Sequence, residues 1–264
     1  MSARAATATP TEDSSTARPV YVYGVVRAGG LPSRGLTGVD GAEVGGVEHE
    51  GIAAITSPIS VKHVRARRRD LLAHSEVLTK ALEHGTVLPL QFGIVFETEK
   101  ALRAGFLEPR KPELEKLLRD FDGRVELRVT AFYVEEAILA EIVEQNGRVA
   151  RLRAATRSAP GGVGYGARLE LGELVAAELR ARARNDARAL LEQLRPLAMA
   201  VDLDEEPLEH QVLRGSFLVA RERLEKFDEA LDEIAKRQAG RMQFKYVGPL
   251  PPHSFVSLEP EGRR

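Results

Sequence analysis

The chain has 264 residues, a formal net charge of −1 and 29% charged residues, so both signs are mixed and no global field favours nucleic acid or an anionic membrane. It has no cysteine, which excludes disulfides, thiol nucleophiles, zinc-thiolate sites and iron–sulfur clusters, and is in keeping with a reducing compartment. The length allows one large domain or two ordinary ones, and no apolar run approaches the ~20 residues of a membrane-spanning helix; with no signal-peptide core at the N-terminus, the expected location is inside the cell.

Residues 1–18, rich in Ala, Thr, Ser and Pro, are expected to be a disordered extension. Val20 to Val26 is a predicted strand, punctuated by Gly29-Gly30 and Pro32, and the glycine-dense stretch Gly35 to Gly46 predicts turns with a short strand near Val47. Gly51 to Ser57 is a further strand, stopped at Pro58. From Val64 to His84, Val64, Leu71, Leu72, Val77, Leu78, Ala81 and Leu82 recur at helical intervals. The run Thr86-Val87-Leu88-Pro89-Leu90-Gln91-Phe92-Gly93-Ile94-Val95 predicts a buried strand interrupted at Pro89, which cannot donate a ladder hydrogen bond. Glu97 to Phe106 and Pro112 to Phe121 predict two helices, with Pro112 at a first helical position.

A composition change at Asp122-Gly123 marks a boundary between an N-terminal α+β domain, 19–122, and a second domain, 123–247. Arg124 to Val134 alternates, with Val125, Leu127, Val129, Ala131 and Tyr133 on one face and Glu126, Arg128 and Thr130 on the other, as a half-solvated strand does. Glu135 to about Arg157 is helical with a break at Asn146-Gly147. A glycine loop, Gly161 to Gly166, leads to a long helix from about Leu169 to Leu194, ended by Pro196. Leu197 to Val201 and Gln211 to Val219 predict strands joined by the acidic turn Asp202 to Glu206. Glu222 to Ala239 predicts a helix with Leu224, Phe227, Leu231 and Ile234 inward and Gly240 as its cap, and Arg241 to Val247 a closing strand. The order is βαββαβ, ferredoxin-like, with extra helices inserted over about 135–195. In the tail, 248–264, Pro249, Pro251 and Pro252 predict an extended, polyproline-like strap anchored by apolar side chains.

Chemistry-bearing patterns are weak. Gly162-Val163-Gly164-Tyr165-Gly166-Ala167 spells a dinucleotide fingerprint but follows the helical segment Arg148 to Arg157 rather than a strand, so it predicts a loop. The six histidines show no pair at metal-ligand spacing, and His74, on the amphipathic helix, is expected to be a hydrogen-bonded packing residue. Glu135-Glu136 and Asp204-Glu205-Glu206 are adjacent carboxylates that do not face each other, and no Gly-x-Ser-x-Gly elbow is present. The basic cluster Arg65-Ala66-Arg67-Arg68-Arg69 lacks the aromatic motif of an RNA-binding sheet and predicts a solvated helix start or a polar protein contact. No catalytic residue, cofactor, metal or nucleic-acid partner is expected.

Four stretches together carry a resemblance. Tyr21-Val22-Tyr23-Gly24-Val25-Val26, the segment around His74, Val87-Leu88-Pro89-Leu90-Gln91-Phe92-Gly93, and Gly248-Pro249-Leu250-Pro251-Pro252-His253-Ser254-Phe255-Val256 resemble, in this order and spacing, the gas vesicle protein F/L family over about residues 20–257. The resemblance implies two α+β domains, the second a modified ferredoxin-like fold. It also implies a non-enzymatic accessory protein acting in assembly or nucleation, retained as a minor vesicle component in the cytoplasm. Its implied partners are the hydrophobic main shell protein, which it would keep from aggregating, and other accessory proteins. Pro89, Phe92, Gly93, Tyr246, Pro249, Pro252 and Phe255 are expected to be architectural, with the tail packed between the two domains and His74 beside them as a structural candidate. A metabolite-sensing regulatory module built on the ferredoxin-like half is the competing expectation.

Overall fold

β-Branched and aromatic residues dominate the first strand, β1 (Val20–Arg27), in a computed structural model that describes residues 18–33, 35–61, 64–158, 165–204, 208 and 210–258. Residues 1–17 of the expected disordered extension, His63, the first four residues of the glycine loop, Glu205-Glu206 and the end of the tail lie outside the described residues. Proximity along the backbone separates two compact units: 18–84 with 90–116, and 85–89 with 117–258.

In the first unit β2 (Gly45–His49) and β3 (Ile52–Pro58) form a hairpin whose corner, Glu50-Gly51, has φ of 41° and 92°. Such positive values match the right-handed twist of paired strands. β3 pairs antiparallel with β1, and the register shifts between Val22 and Gly24, a bulge at Tyr23. The helix α1 (Arg68–His84) buries Asp70, His74, Val77, Leu78, Ala81 and Leu82, so the expected stripe holds from Val77 onward; Leu71 and Leu72, expected on it, are exposed, because Asp70 and His74 take the inward positions of the first turns.

The apolar run after α1 is buried but mostly not strand. It forms two-residue pieces, β4 (Leu88–Pro89) and β5 (Val95–Phe96), the latter paired with β1, and turns between them at Gly93, φ 93°. Pro89 lacks an N–H and a left-handed Gly93 reverses the path, so ladder pairing cannot propagate. Leu90 still donates its N–H to Tyr23 O at 2.9 Å. The two helices expected next are one continuous run: α2 (Glu99–Leu102), a π-helical turn over Arg103–Leu107, and α3 (Glu108–Asp120). Thr98 caps its start, accepting from Ala101 N at 3.0 Å. Pro112 therefore sits inside α3 rather than at a helix start, where its ring removes one backbone hydrogen bond without ending the helix.

The second unit is an antiparallel sheet in the order β7-β8-β6-β9, made of β6 (Arg124–Tyr133), β7 (Ala200–Leu203), β8 (Gln211–Ala220) and β9 (Met242–Leu250). Four helices accompany it: α4 (Glu135–Gln145), α5 (Gly147–Ser158), α6 (Tyr165–Leu194) and α7 (Leu224–Arg237). The expected break is real: Asn146 ends α4, and its side-chain oxygen caps α5 by accepting from Arg148 N (3.0 Å) and Val149 N (3.2 Å). Leu127 of β6 faces Phe217 of β8, and the Phe217 ring lies 5.3 Å from Phe227 of α7. Tyr133, on the same face as Leu127, donates its hydroxyl to Asp186 of α6, so α6 and α7 cover one face of the sheet.

Three further points differ from the sequence reading. Residues 195–197 form a 3-10 turn with Pro196 at its start, which moves the strand expected at Leu197 forward to Ala200. β6 is not half-solvated: as an interior strand it buries Glu126 and Thr130 as well as its apolar face. β9 continues through Pro249 to Leu250 rather than stopping at Val247. An edge strand tolerates a residue without an N–H, and the pairing with β6 is irregular here, between Glu126 and Arg128. The predicted polyproline path is thus strand up to Leu250, including a cis Gly248-Pro249 peptide, and then a turn in which Phe255 N and Val256 N both donate to Pro252 O at 3.1 Å.

Candidate functional site

In the first unit the side chains of Tyr21, Tyr23, His74 and Phe92 converge. Gly93 donates its N–H to the Tyr21 hydroxyl oxygen (3.0 Å), and the same hydroxyl is hydrogen-bonded to Nδ1 of His74 at 2.9 Å. The His74 ring stacks on Tyr23 at 5.5 Å and meets Phe92 edge-on at 5.7 Å. Tyr23 bonds to Ser57 Oγ (2.8 Å) and accepts from Val39 N (2.8 Å). Burial holds both tyrosine hydroxyls above their ordinary pKa, so they stay neutral donors and acceptors. A Cβ at Gly38 would stand 2.0 Å from the Tyr23 oxygen, so this loop is glycine by necessity. His74 is thus a packed, hydrogen-bonded residue, as its place on α1 suggested.

In the second unit a fully buried carboxylate, Glu126, is ringed by donors. Arg128 Nη2 (2.7 Å), Ser216 Oγ (3.0 Å), Ser254 N (2.7 Å) and Ser254 Oγ (3.0 Å) all reach it. With both oxygens engaged, Glu126 acts as a fastener for the Pro251-Pro252-His253-Ser254 segment and has little capacity left to act as a base. Sequence reasoning missed Glu126, Ser216 and Ser254. No local signal marked Glu126, because its alternation with apolar residues in β6 is also that of a solvated face.

A second ionic cluster ties α4 and α6 to the start of β9. Arg241 bonds to Glu141 (2.7 Å) and Asp186 (2.7 Å), its guanidinium lies 5.3 Å from the Tyr133 ring, and Arg182 bonds to Glu141 at 2.6 Å.

Of the other candidates, Tyr246 donates its hydroxyl to Asp228 (2.6 Å) and lies over Phe227. Pro89 and Pro252 are buried, Phe255 is half-buried, and Pro249 is in β9. The structure therefore unites His74, Phe92 and Gly93, and separately gathers Tyr246 and the tail around the second sheet. Among the described residues no group of three or more His, Asp or Glu could hold a metal ion, and no helix is long and apolar enough to cross a membrane.

Two antiparallel sheets with helices on them, fastened by buried polar clusters, define a mixed α/β scaffold. The chain belongs to the gas vesicle GvpL/GvpF family: the family model described as gas vesicle synthesis protein GvpL/GvpF matches residues 19–257. It is 37% identical over 241 residues to gas vesicle protein F of Streptomyces sp. (strain CB03234), covering 89% of this chain and 98% of that protein. Gas vesicle protein L2 of Halobacterium salinarum is 26% identical over 254 residues, covering 89% and 90%. The crystal structure of GvpF from Anabaena sp. PCC7120 superposes with a TM-score of 0.76 at 23% identity, over 92% of this chain and 99% of that one, and so shares its fold.

Proposed function

We propose that this protein is a non-enzymatic accessory factor of gas vesicle assembly that covers the apolar surface of the main shell protein before it enters the wall. It also contacts other accessory proteins and stays with the vesicle as a minor component. Family membership supplies the setting, and one surface observation carries the finer reading. On α1, Leu71 and Leu72 are 43% and 59% exposed, directly after the arginines of residues 65–69. Large apolar side chains held open beside a basic rim suit a partner that is apolar with a polar edge. The buried clusters fit a scaffold rather than a catalyst, since their polar atoms hold the fold together. The second sheet, with its strand, helices, strand, strand, helix, strand order, we assign as a modified ferredoxin-like fold, and the tail after Leu250 as the strap that Glu126 fastens.

Co-expression of a tagged chain with the shell protein tests this. The wild type is expected to bring shell protein into the soluble, co-purified fraction, and L71E/L72E to lose most of it while keeping the wild-type melting temperature. No shell protein with the wild type, or equal amounts with both, would overturn the reading.

A further inference from the structure

β9 is an outer strand of the second sheet, paired with β6 alone. Val134 N donates to Arg241 O at 2.9 Å, and the register runs unbroken from Tyr133 with Met242 to Arg128 with Val247, so Gln243, Lys245 and Val247 turn their backbone groups to β6. Phe244 and Tyr246 turn theirs to the open side, where no strand pairs with them among the described residues. Pro249, without an N–H, closes this edge at one end, and at the other Met242 N is taken up by Gln238 O (2.9 Å). The side chains are open as well: Tyr246 is 37% and Val247 38% exposed. On the helix face the edge is overlooked by α7. Tyr246 donates to Asp228 and its ring lies over Phe227, whereas Arg237, on the opposite side of α7, reaches Gln193 of α6, so the Asp228 flank is the one above β9 and turned away from α6. Glu225 and Asp232 stand within about 60° of Asp228 around the helix, exposed and in no ion pair among the described residues.

We infer that this edge receives an extended segment of another protein, which adds as a fifth strand beside β9 and carries Lys or Arg at every second position. α7 runs antiparallel to β9, with Asp228 at Tyr246 and Gln238 at Met242, which puts Asp232 level with Phe244. Asp228 and Asp232 are one turn apart, about 6 Å along the helix, close to the ~6.7 Å between alternate residues of a strand, so successive basic side chains meet successive carboxylates. Their aliphatic stems lie over the rings of Phe244 and Tyr246 and carry the charged heads to α7. On the other face Lys245 and the exposed Val247 favour uncharged residues such as Val or Thr. The same flank rejects a second copy of this chain, because antiparallel pairing of two β9 edges puts both α7 helices on one face with their carboxylates turned towards each other. The inference is independent of how the shell protein is bound, and uses none of the residues assigned to that role.

The probe is a capped nonapeptide that alternates Lys with Val and Thr, and the readout is amide hydrogen exchange, residue by residue, in the full chain at about 0.05 M salt, where charge pairs are weakly screened. Saturating peptide is expected to slow exchange at the Phe244 and Tyr246 amides about tenfold or more. The same peptide with Glu in place of Lys should leave both amides unchanged. So should the Lys peptide N-methylated at its Lys residues, which lacks the N–H groups that face β9 in this register. E225Q/D232N, neutral and nearly isosteric at two exposed positions, should weaken the Lys peptide about tenfold while its core amides exchange as in the wild type. No slowing with the Lys peptide, equal slowing with the Glu or N-methylated peptide, or undiminished binding by E225Q/D232N would each overturn the proposal. So would protection of Phe244 and Tyr246 that grows with protein concentration in the absence of peptide, the mark of a second copy on this edge.

Discussion

The two units are held by different physics. In the first, the fastening around β1 is built on aromatic rings: Tyr21, Tyr23, His74 and the Gly93 amide are joined by hydrogen bonds and ring contacts. In the second it is ionic: Glu126 gathers Arg128 and the tail, and Arg241 bridges Glu141 and Asp186. A ring cluster is maintained by packing and a few shared hydrogen bonds, whereas an ionic one depends on the carboxylate keeping its donors after leaving water. The units should therefore fail under different perturbations.

The largest effect is expected at Glu126. E126A removes the acceptor shared by Ser254 N, Ser254 Oγ, Ser216 Oγ and Arg128, and with about 1–3 kcal/mol for each buried donor left unpaired should cost about 3–5 kcal/mol in urea unfolding; proteolysis of the C-terminal segment should accelerate with it. Next comes Tyr21: Y21F removes the hydroxyl shared by Gly93 and His74 and should cost about 1–3 kcal/mol. A loss of similar size, about 1–3 kcal/mol and at the low end if the Gly38 loop shifts, is expected for G38A through its clash with Tyr23.

The mildest is a pH effect. Burial raises the folded-state pKa of Tyr21 and Tyr23 above the unfolded value of about 10, so their contribution is complete below that pH and is lost as pH rises toward the folded value. Thermal melts above about pH 10 should show declining stability, with a shallower decline in Y21F. An unchanged slope in Y21F would place the alkaline sensitivity elsewhere, with Tyr133 and Tyr246 next to examine.

Regular periodicity was legible from residue types alone. The stripe of α7, the later turns of the α1 stripe from Val77 to Leu82 and the α4–α5 break at Asn146 lie where local spacing puts them, because each reflects one buried face or one cap. The run from Thr86 to Val95 was not, since its apolar content is the same for a buried strand and a buried irregular path. Pro89 and Gly93 decide between them only when their backbone geometry is known. The Glu126 fastener was hidden for another reason. Its tail partner Ser254 is 128 residues away, and nothing in the local pattern of β6 says that the outer face of that strand is covered.

The central claim, that this scaffold shields an apolar shell subunit, is tested most directly by light scattering as purified shell protein is diluted from denaturant with and without the chain. The account predicts suppressed scattering at equimolar wild type and scattering close to that of shell protein alone with L71E/L72E. Equal scattering with and without the wild-type chain would contradict it.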